Sequence, residues 1–335
     1  MGIFLRWDIT NNCKMNCIHC YNAEFRNKHK DILKEGDIRI IIERLPIERI
    51  KVVKLMGGEP FDSEYIDVIC ATLEKRGLKF GLTTNGDFDY EYCESIAFNK
   101  SMCEYITFSM DGYQSEARLF RRNLNVANVI SNIKKIRENH PEIRLCLNLI
   151  INNMNYNKIY DILKFYADLG IEKVNISNLS GKQDIVDFYK CNDEQIVSVT
   201  KEISRFLDDY DSMAVECGYC CNNVRNQIVG AINQRLSFDY RCMAGRKIGY
   251  IDYIGNLLPC EAVLKNETLY STYVNSGKYS LLKYDFDEIW MKEAFHEVYR
   301  HDIMFRYYNE SNNPKCIGCN KKDICGDCFY ITKAV

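Results

Sequence analysis

Three cysteines near the start of the chain have a spacing that suits metal chemistry. Cys13, Cys17 and Cys20 stand at C-x3-C-x2-C within "NNCKMNCIHC", just after a short apolar stretch. A cube of four irons and four sulfides is commonly held by four thiolates. Three thiolates leave one iron open to a ligand that the protein does not supply. The alternative is a fragment of a zinc site, but zinc asks for paired CxxC-like units or histidines at ligand spacing, and His29 is not so placed. A second feature, "GGEP" at 57–60, offers two glycines through which backbone can come close to a ligand. A third group of thiols lies late in the chain. Cys242 and Cys260 are separated by 17 residues, and Cys316, Cys319, Cys325 and Cys328 follow at C-x2-C-x5-C-x2-C.

Elements that could bring the first two features together alternate along the first half. Runs of β-rich sequence fall at 3–10, 51–58, 78–86, 105–112, 143–153 and 172–180. Between them lie helical stretches near 35–46, 62–76, 88–99, 123–138 and 156–168, with apolar residues at helical spacing such as Ile130, Ile133 and Ile136, or Ile159, Leu163 and Tyr166. Each strand–helix–strand unit implies a parallel pair with a right-handed crossover. Six strands in succession predict an α/β fold, a partial (β/α)6 barrel of the TIM type. Polar residues and glycine gather where these strands end, in "GGEP", "TTNG", "SMDG", "NN" and "SN". In parallel α/β folds that rim binds ligands, and the cysteine loop lies on it.

Composition narrows the field. A net charge of −2 with 27% charged residues gives no basic face for nucleic acid, and no run approaches a membrane span. Arg6 and Asp8 interrupt the first apolar stretch before a signal-peptide core could form, so a cytoplasmic protein is expected. There are 17 cysteines against 2 tryptophans and 5 prolines. In a chain of 335 residues without an export signal, that excess favours thiolate chemistry over disulfides.

The cysteine loop after the first strand, followed by "GGEP" after the second, resembles the radical S-adenosylmethionine (AdoMet) superfamily. The resemblance implies a [4Fe–4S] cluster on Cys13, Cys17 and Cys20 whose open iron takes the amino and carboxylate groups of AdoMet. It also implies reductive cleavage of AdoMet to a 5′-deoxyadenosyl radical that abstracts hydrogen from a substrate, with a flavodoxin or ferredoxin as electron donor. Gly57, Gly58, Glu59 and Pro60 match the segment that holds the methionyl amine. Asn85, Ser109, Asp111, Arg118 and Asn148 stand where relatives place ribose and carboxylate contacts, and His19 fills the slot whose backbone meets adenine.

The stretch 242–260 resembles the first half of a SPASM or twitch extension, in which two thiolates bracket a β-hairpin; "IGYIDYIGNLLP" fits a hairpin with glycine at its turn. The tail cysteines resemble the second half. The full SPASM pattern ends C-x3-C and adds a further cysteine, whereas here the last pair is C-x2-C. One or two auxiliary clusters are implied, with a zinc knuckle as the alternative for the tail. The expected organisation is a barrel over 1–190, a helical linker or insert over 191–240, and a cysteine-rich auxiliary module over 241–335. Cys70, Cys93, Cys103, Cys146 and Cys191 read as small core residues. In "ECGYCC", Cys220 and Cys221 are candidate hydrogen-atom donors, because enzymes of this class that invert a stereocentre need a thiol opposite the radical.

SPASM and twitch relatives mostly modify peptides, and some oxidise or epimerise cyclitols and sugars. The barrel begins at residue 3, so recognition of a peptide is expected from a separate leader-binding protein or from the 181–240 segment. Maturation of a ribosomally made peptide, by thioether or carbon–carbon crosslinking or by epimerisation, is the favoured reading. A small-molecule dehydrogenase or epimerase is the second. A structural zinc or iron–sulfur protein is the rival of a different class.

Overall fold

The computed structural model describes residues 2–20, 22–23, 32–114, 116–179, 183–217, 237–238, 243–265, 267–292 and 295. β1 (Ile3–Thr10) shows why these residues make strands. Leu5, Trp7 and Ile9 are buried on one face while Arg6 and Asp8 lie on the other, the period of two a strand imposes. The same alternation runs through β2 (Ile50–Gly57), β3 (Phe80–Thr84), β4 (Cys103–Ser109), β5 (Arg144–Ile151) and β6 (Lys173–Asn178). Their outward residues, among them Val53, Leu55, Leu82, Ile106, Leu147 and Val174, join one large apolar core with the helices.

The helices are amphipathic in the matching sense. α1 (Glu35–Glu43) buries Ile38, Ile41 and Ile42, and α2 (Ile66–Lys75) buries Ile66, Ile69 and Leu73. The expected helix at 88–99 is α3 (Tyr90–Cys93), which widens into a π turn over Glu94–Phe98. A short α4 (Ala117–Phe120) precedes α5 (Val126–Asn139), whose Val129, Ile133 and Ile136 face the core while Ile130 is only partly buried. α6 (Ile159–Asp168) buries Ile159, Ile162, Leu163 and Tyr166. Two further helices are α7 (Gln183–Tyr189) and α8 (Asp193–Asp209). Asn192 and Gln195 form a reciprocal capping box at the start of α8.

The sheet is larger than the six strands expected from the sequence. It has ten strands in the order β10-β9-β1-β2-β3-β4-β5-β6-β7-β8, and its two ends do not pair. β7 (Ala214–Cys217) runs parallel to β6, and β8 (Ser237–Phe238) pairs with β7. The segment after residue 190 therefore continues the helix–strand alternation: α8 buries Ile196, Val199, Ile203 and Phe206, then leads to β7. β9 (Ile248–Ile251) and β10 (Leu257–Leu258) form the hairpin read from "IGYIDYIGNLLP", with Gly255 at φ +86° in its turn. β9 also pairs in parallel with β1, a contact that the local pattern of neither strand foretells. A smaller apolar cluster around this hairpin contains Tyr250, Leu258, Val263, Tyr270 and Tyr273. Strands of two to four residues carry too little pattern to be recognised, because hydrogen bonding to the sheet edge is what makes them strands.

Among the described residues no helix is long and apolar enough to cross a membrane. Cys220, Cys221, Cys242, Cys316, Cys319, Cys325 and Cys328 lie outside the described residues.

Candidate active site

The root of the cysteine loop is fastened to the end of β2 by backbone. Gly58 N donates to the Thr10 carbonyl at 2.7 Å and Glu59 N to the Asn12 carbonyl at 2.8 Å. A Cβ on Gly57, at φ +128°, would stand 2.3 Å from the Thr10 carbonyl oxygen; one on Gly58 would stand 2.1 Å from that of Asn12. Side chains there would push the two segments apart, so the glycines are needed for this close approach. Asn22 Nδ2 donates to Asn11 Oδ1 at 3.0 Å, and Lys14 N donates to Asp62 Oδ2 at 3.2 Å. These tie the loop across itself and to the turn Pro60–Asp62.

Glu59 points away from the loop and holds the next strand end. Its carboxylate accepts from Thr84 Oγ1 at 2.7 Å, Asn85 N at 2.8 Å and Phe61 N at 3.4 Å. The side chain is only 3% exposed. Burial pushes its pKa from 4.5 up to about 7, against the pull of those three donors. A carboxyl whose folded pKa is raised contributes stability that is full below 4.5 and is lost as pH rises through 7. Glu59→Gln removes that titration. In urea denaturation of the apoprotein, the fall in stability between pH 4.5 and pH 8 should be smaller in the variant by on the order of 3 kcal/mol.

Cys13, Cys17 and Cys20 are each partly exposed on the rim. Cys13 lies within electrostatic reach of the other two thiols, and burial pushes its own pKa up to about 12. Without iron it therefore keeps its proton at neutral pH, and metal binding would release it. Among the described residues no three His, Cys, Asp or Glu side chains converge on a single ion. Three thiols within electrostatic reach of one another suit a polynuclear cluster, in which each sulfur meets its own iron. The residues present thus fit the [4Fe–4S] group, with the glycine-lined end of β2 beside it.

The second half of the loop docks on the segment after β4. Cys17 and Arg121 form an isolated antiparallel bridge, and Ile18 N donates to the Phe120 carbonyl at 3.1 Å. Arg121 Nε donates to Asp111 Oδ2 at 3.0 Å, and its Nη1 lies 4.0 Å from Cys17 Sγ. Burial disfavours the guanidinium's charge, but Asp111 and the two thiols raise its pKa nonetheless. Asp111 also accepts from Ile150 N at 3.1 Å, which binds β4 to β5. His19 packs edge-on against Phe120, and its Nε2 is 3.8 Å from Asp111, too far for a hydrogen bond. Burial, with Arg121 adding to it, lowers the His19 pKa to about 4, so the ring is neutral at pH 7. Its buried Nδ1 has no partner among the described residues.

Arg121 was not among the residues singled out from the sequence. Arg118 is exposed and donates to the Leu124 carbonyl at 3.1 Å, so it is Arg121, three residues on, that reaches the cysteine loop. The helix ends at Phe120, and Arg121 leaves helical conformation at φ −115° and ψ 73°, which separates it from Arg118. Removing the cation from Asp111, which is 1% exposed, should be severe: Arg121→Met should cost about 3–5 kcal/mol by stranding a buried charge. The double variant Asp111→Asn/Arg121→Met should recover much of that loss in urea denaturation.

The other rim positions are brought together to different degrees. Asn85 is buried, and its Oδ1 accepts from Asp87 N at 2.7 Å in a local turn. Ser109 is in register with Asn148, which accepts from Asn175 Nδ2 at 3.1 Å across to β6. Cys260 follows β10, and its thiol donates to Glu261 Oε2 at 3.2 Å.

Below the rim the inner face of the barrel is polar. Arg6, Lys54, Gly81 and Tyr105 share one register row across β1 to β4. Cys146 and Lys173 are paired on β5 and β6. Lys54 and Lys173 sit on strands that are not neighbours yet influence each other electrostatically, which places both toward the lumen. Cys146 is buried, as its setting in the sequence suggested, but on the lumen face, in register with Thr107 and Lys173 and outside the cluster that the helices complete. A TIM barrel ordinarily fills this space with branched apolar side chains.

The Radical SAM superfamily description matches residues 7–166, from the middle of β1 through most of α6. The barrel is a radical SAM domain. Radical SAM proteins use a [4Fe–4S] cluster and AdoMet, the pair that the cysteine loop and its glycine neighbours fit. Over nearly the whole chain, 96% of it and 88% of the relative, there is 19% identity to the tungsten-containing aldehyde ferredoxin oxidoreductase cofactor-modifying protein of Pyrococcus furiosus. The GTP 3′,8-cyclase of Nautilia profundicola is 24% identical over 173 residues, covering 50% of this chain and 54% of that one. Among solved structures, Streptococcus suis SuiB bound to AdoMet superimposes with a TM-score of 0.73 at 17% identity, spanning 100% of this chain and 73% of that one. The structure of anSMEcpe with bound AdoMet and the Cp18Cys peptide gives 0.68 at 14% identity, over 100% and 91%. The fold shared with these two structures extends well beyond the residues that the family description covers.

Proposed function

We propose that this radical SAM enzyme matures a peptide, through crosslinking or epimerisation initiated in the barrel lumen. The observation that carries the reading is the likeness of the whole chain to SuiB, which has been crystallised with the precursor peptide SuiA at a TM-score of 0.74, and to the peptide-bound anSMEcpe. When bound, the cluster and AdoMet supply reductive cleavage and hydrogen-atom abstraction. The chain's own residues do the rest. Cys13, Cys17 and Cys20 hold the cluster; Gly57, Gly58 and Pro60 shape the floor beneath AdoMet; Glu59 locks that floor to β3. Asp111 and Arg121 fix the loop's second half, and Asn85, Ser109, Asn148 and the His19 backbone complete the AdoMet pocket. Cys242, Cys260 and the tail thiolates Cys316, Cys319, Cys325 and Cys328 form a SPASM- or twitch-like auxiliary iron–sulfur module over 241–335. Cys220 and Cys221 are the candidate hydrogen donors, and a flavodoxin or ferredoxin is the electron source.

The test is anaerobic reconstitution with iron, sulfide, AdoMet and dithionite, followed by incubation with synthetic peptides containing Cys, Thr and Val. The reading expects loss of a hydrogen pair, or deuterium uptake in D2O, in at least one peptide by mass spectrometry. If 5′-deoxyadenosine forms while only a cyclitol, sugar or nucleotide-derived compound is altered, the peptide reading fails. That outcome would favour the small-molecule alternative, for which the nearly full-length match to a cofactor-modifying protein speaks.

A further inference from the structure

We propose that Lys54, in the floor of the barrel lumen, seats a carboxylate carried by the substrate. The proposal rests on the reading that substrate enters this lumen.

Lys54 stands in the register row between Arg6 on β1 and Gly81 on β3. Gly81 leaves room there for the neighbouring aromatic ring: a Cβ would lie 2.3 Å from Tyr105 Cζ. Two other lumen cations are already matched, Arg6 by Glu261 and Lys173 by Glu216. Lys54 alone of these three has no hydrogen-bond or ion-pair partner among the described residues. Its surroundings oppose its charge. Burial, reinforced by Arg6 and Lys173 and eased only by Glu261 and Cys146, lowers the Lys54 pKa to about 8. Burial in turn raises the Cys146 pKa, so that thiol is a neutral neighbour at pH 7 and does not balance the ammonium.

Lys54 is half-buried, so its ammonium is partly desolvated without a paired anion, and the arrival of an anion would relieve that cost. The charge pattern selects the anion. Arg6 with Glu261 and Lys173 with Glu216 pair off, so of these three cations Lys54 is the one without a pairing carboxylate. Asp8 lies two residues along β1 on the same face, held by the Tyr250 hydroxyl at 2.6 Å. Its presence disfavours a second negative charge on the ligand. A carboxylate fits this balance and a phosphate dianion does not.

The seat can be tested without knowing the substrate, by competition for acetylation of Lys54. The reconstituted wild-type holoenzyme with AdoMet is pulsed anaerobically with N-hydroxysuccinimidyl acetate, and labelling of the Lys54 peptide is followed by mass spectrometry. Probes are the tripeptide amides acetyl-Gly-Glu-Gly and acetyl-Gly-Gln-Gly, free glutarate and inorganic phosphate. Exposed Lys51, on the same strand, is the internal control. At four times its half-saturating concentration a carboxylate probe should slow Lys54 labelling about fivefold. The glutaminyl peptide should have no effect, and Lys51 should label at a constant rate. The proposal is overturned if no carboxylate protects, if phosphate protects better than carboxylate at equal concentration, or if Lys54 does not label even without ligand. Protection by glutarate without protection by the glutamyl peptide upholds the seat while counting against a peptide substrate, so the two readings fail separately.

Discussion

Gly58→Ala should abolish cluster incorporation and destabilise the apoprotein. The added methyl would lie 2.1 Å from the Asn12 carbonyl oxygen, 2.7 Å from its carbon and 2.8 Å from the Asn11 carbonyl carbon. All three are backbone atoms, so no side chain can rotate away. Relief requires separating the end of β2 from the cysteine loop, which breaks the bonds from Gly58 N to Thr10 and from Glu59 N to Asn12. Overpacking with lost backbone hydrogen bonds should cost on the order of 3–5 kcal/mol. Because Asn12 adjoins Cys13, iron content and 5′-deoxyadenosine formation should fall together. Gly36 is the control, since a Cβ there meets nothing within 4 Å. It lies within α1, and Gly36→Ala should raise stability by about 0.5–1 kcal/mol with iron content unchanged. Urea denaturation and colorimetric iron assay of the three proteins decide it. Full iron loading in Gly58→Ala would show that the glycine pair does not shape the cluster site.

Cys17→Ser should separate chemistry from stability in the opposite way. Cys17 is partly exposed on the rim, so the apo fold should be nearly unchanged. AdoMet cleavage should fall at least a hundredfold, since losing an outer-sphere partner of a metal ligand alone costs about 10–100-fold, and the g-tensor of the AdoMet-bound reduced cluster should vanish from the EPR spectrum. Cys70→Ser is the contrasting variant. Cys70 is fully buried in the apolar core, where a hydroxyl without a partner should cost about 1–3 kcal/mol and leave the iron in place. If Cys17→Ser keeps wild-type cleavage, the assignment of the three-thiol loop is wrong.

Much of this molecule could be read from the order of its residues. Apolar period fixed the six central strands and the helices between them, because a strand or helix packed on one face must repeat its buried residues at 2.0 or 3.6. The C-x3-C-x2-C loop and "GGEP" were legible because both are contiguous, and their chemistry depends on residues a few positions apart. The hairpin turn was legible too, since the local bonds from Ile254 N and Asn256 N to Asp252 and the left-handed Gly255 are set within a few residues.

What only the tertiary structure decided involves partners far apart in the chain. β9 is a strand of the barrel sheet because β1, some 240 residues earlier, offers it an edge. Arg121 and not Arg118 reaches Cys17, because the helix ends at Phe120 and the docking of Phe120 on the loop carries the non-helical Arg121 with it. Cys146 and Lys54 look in sequence like ordinary positions of β-strands, and only the curvature of the open sheet puts a thiol and an unmatched ammonium into one lumen. Periodicity tells which face of a strand is apolar. It cannot tell which charges will meet across the space that the other faces enclose, since those distances exist only once the sheet has curved.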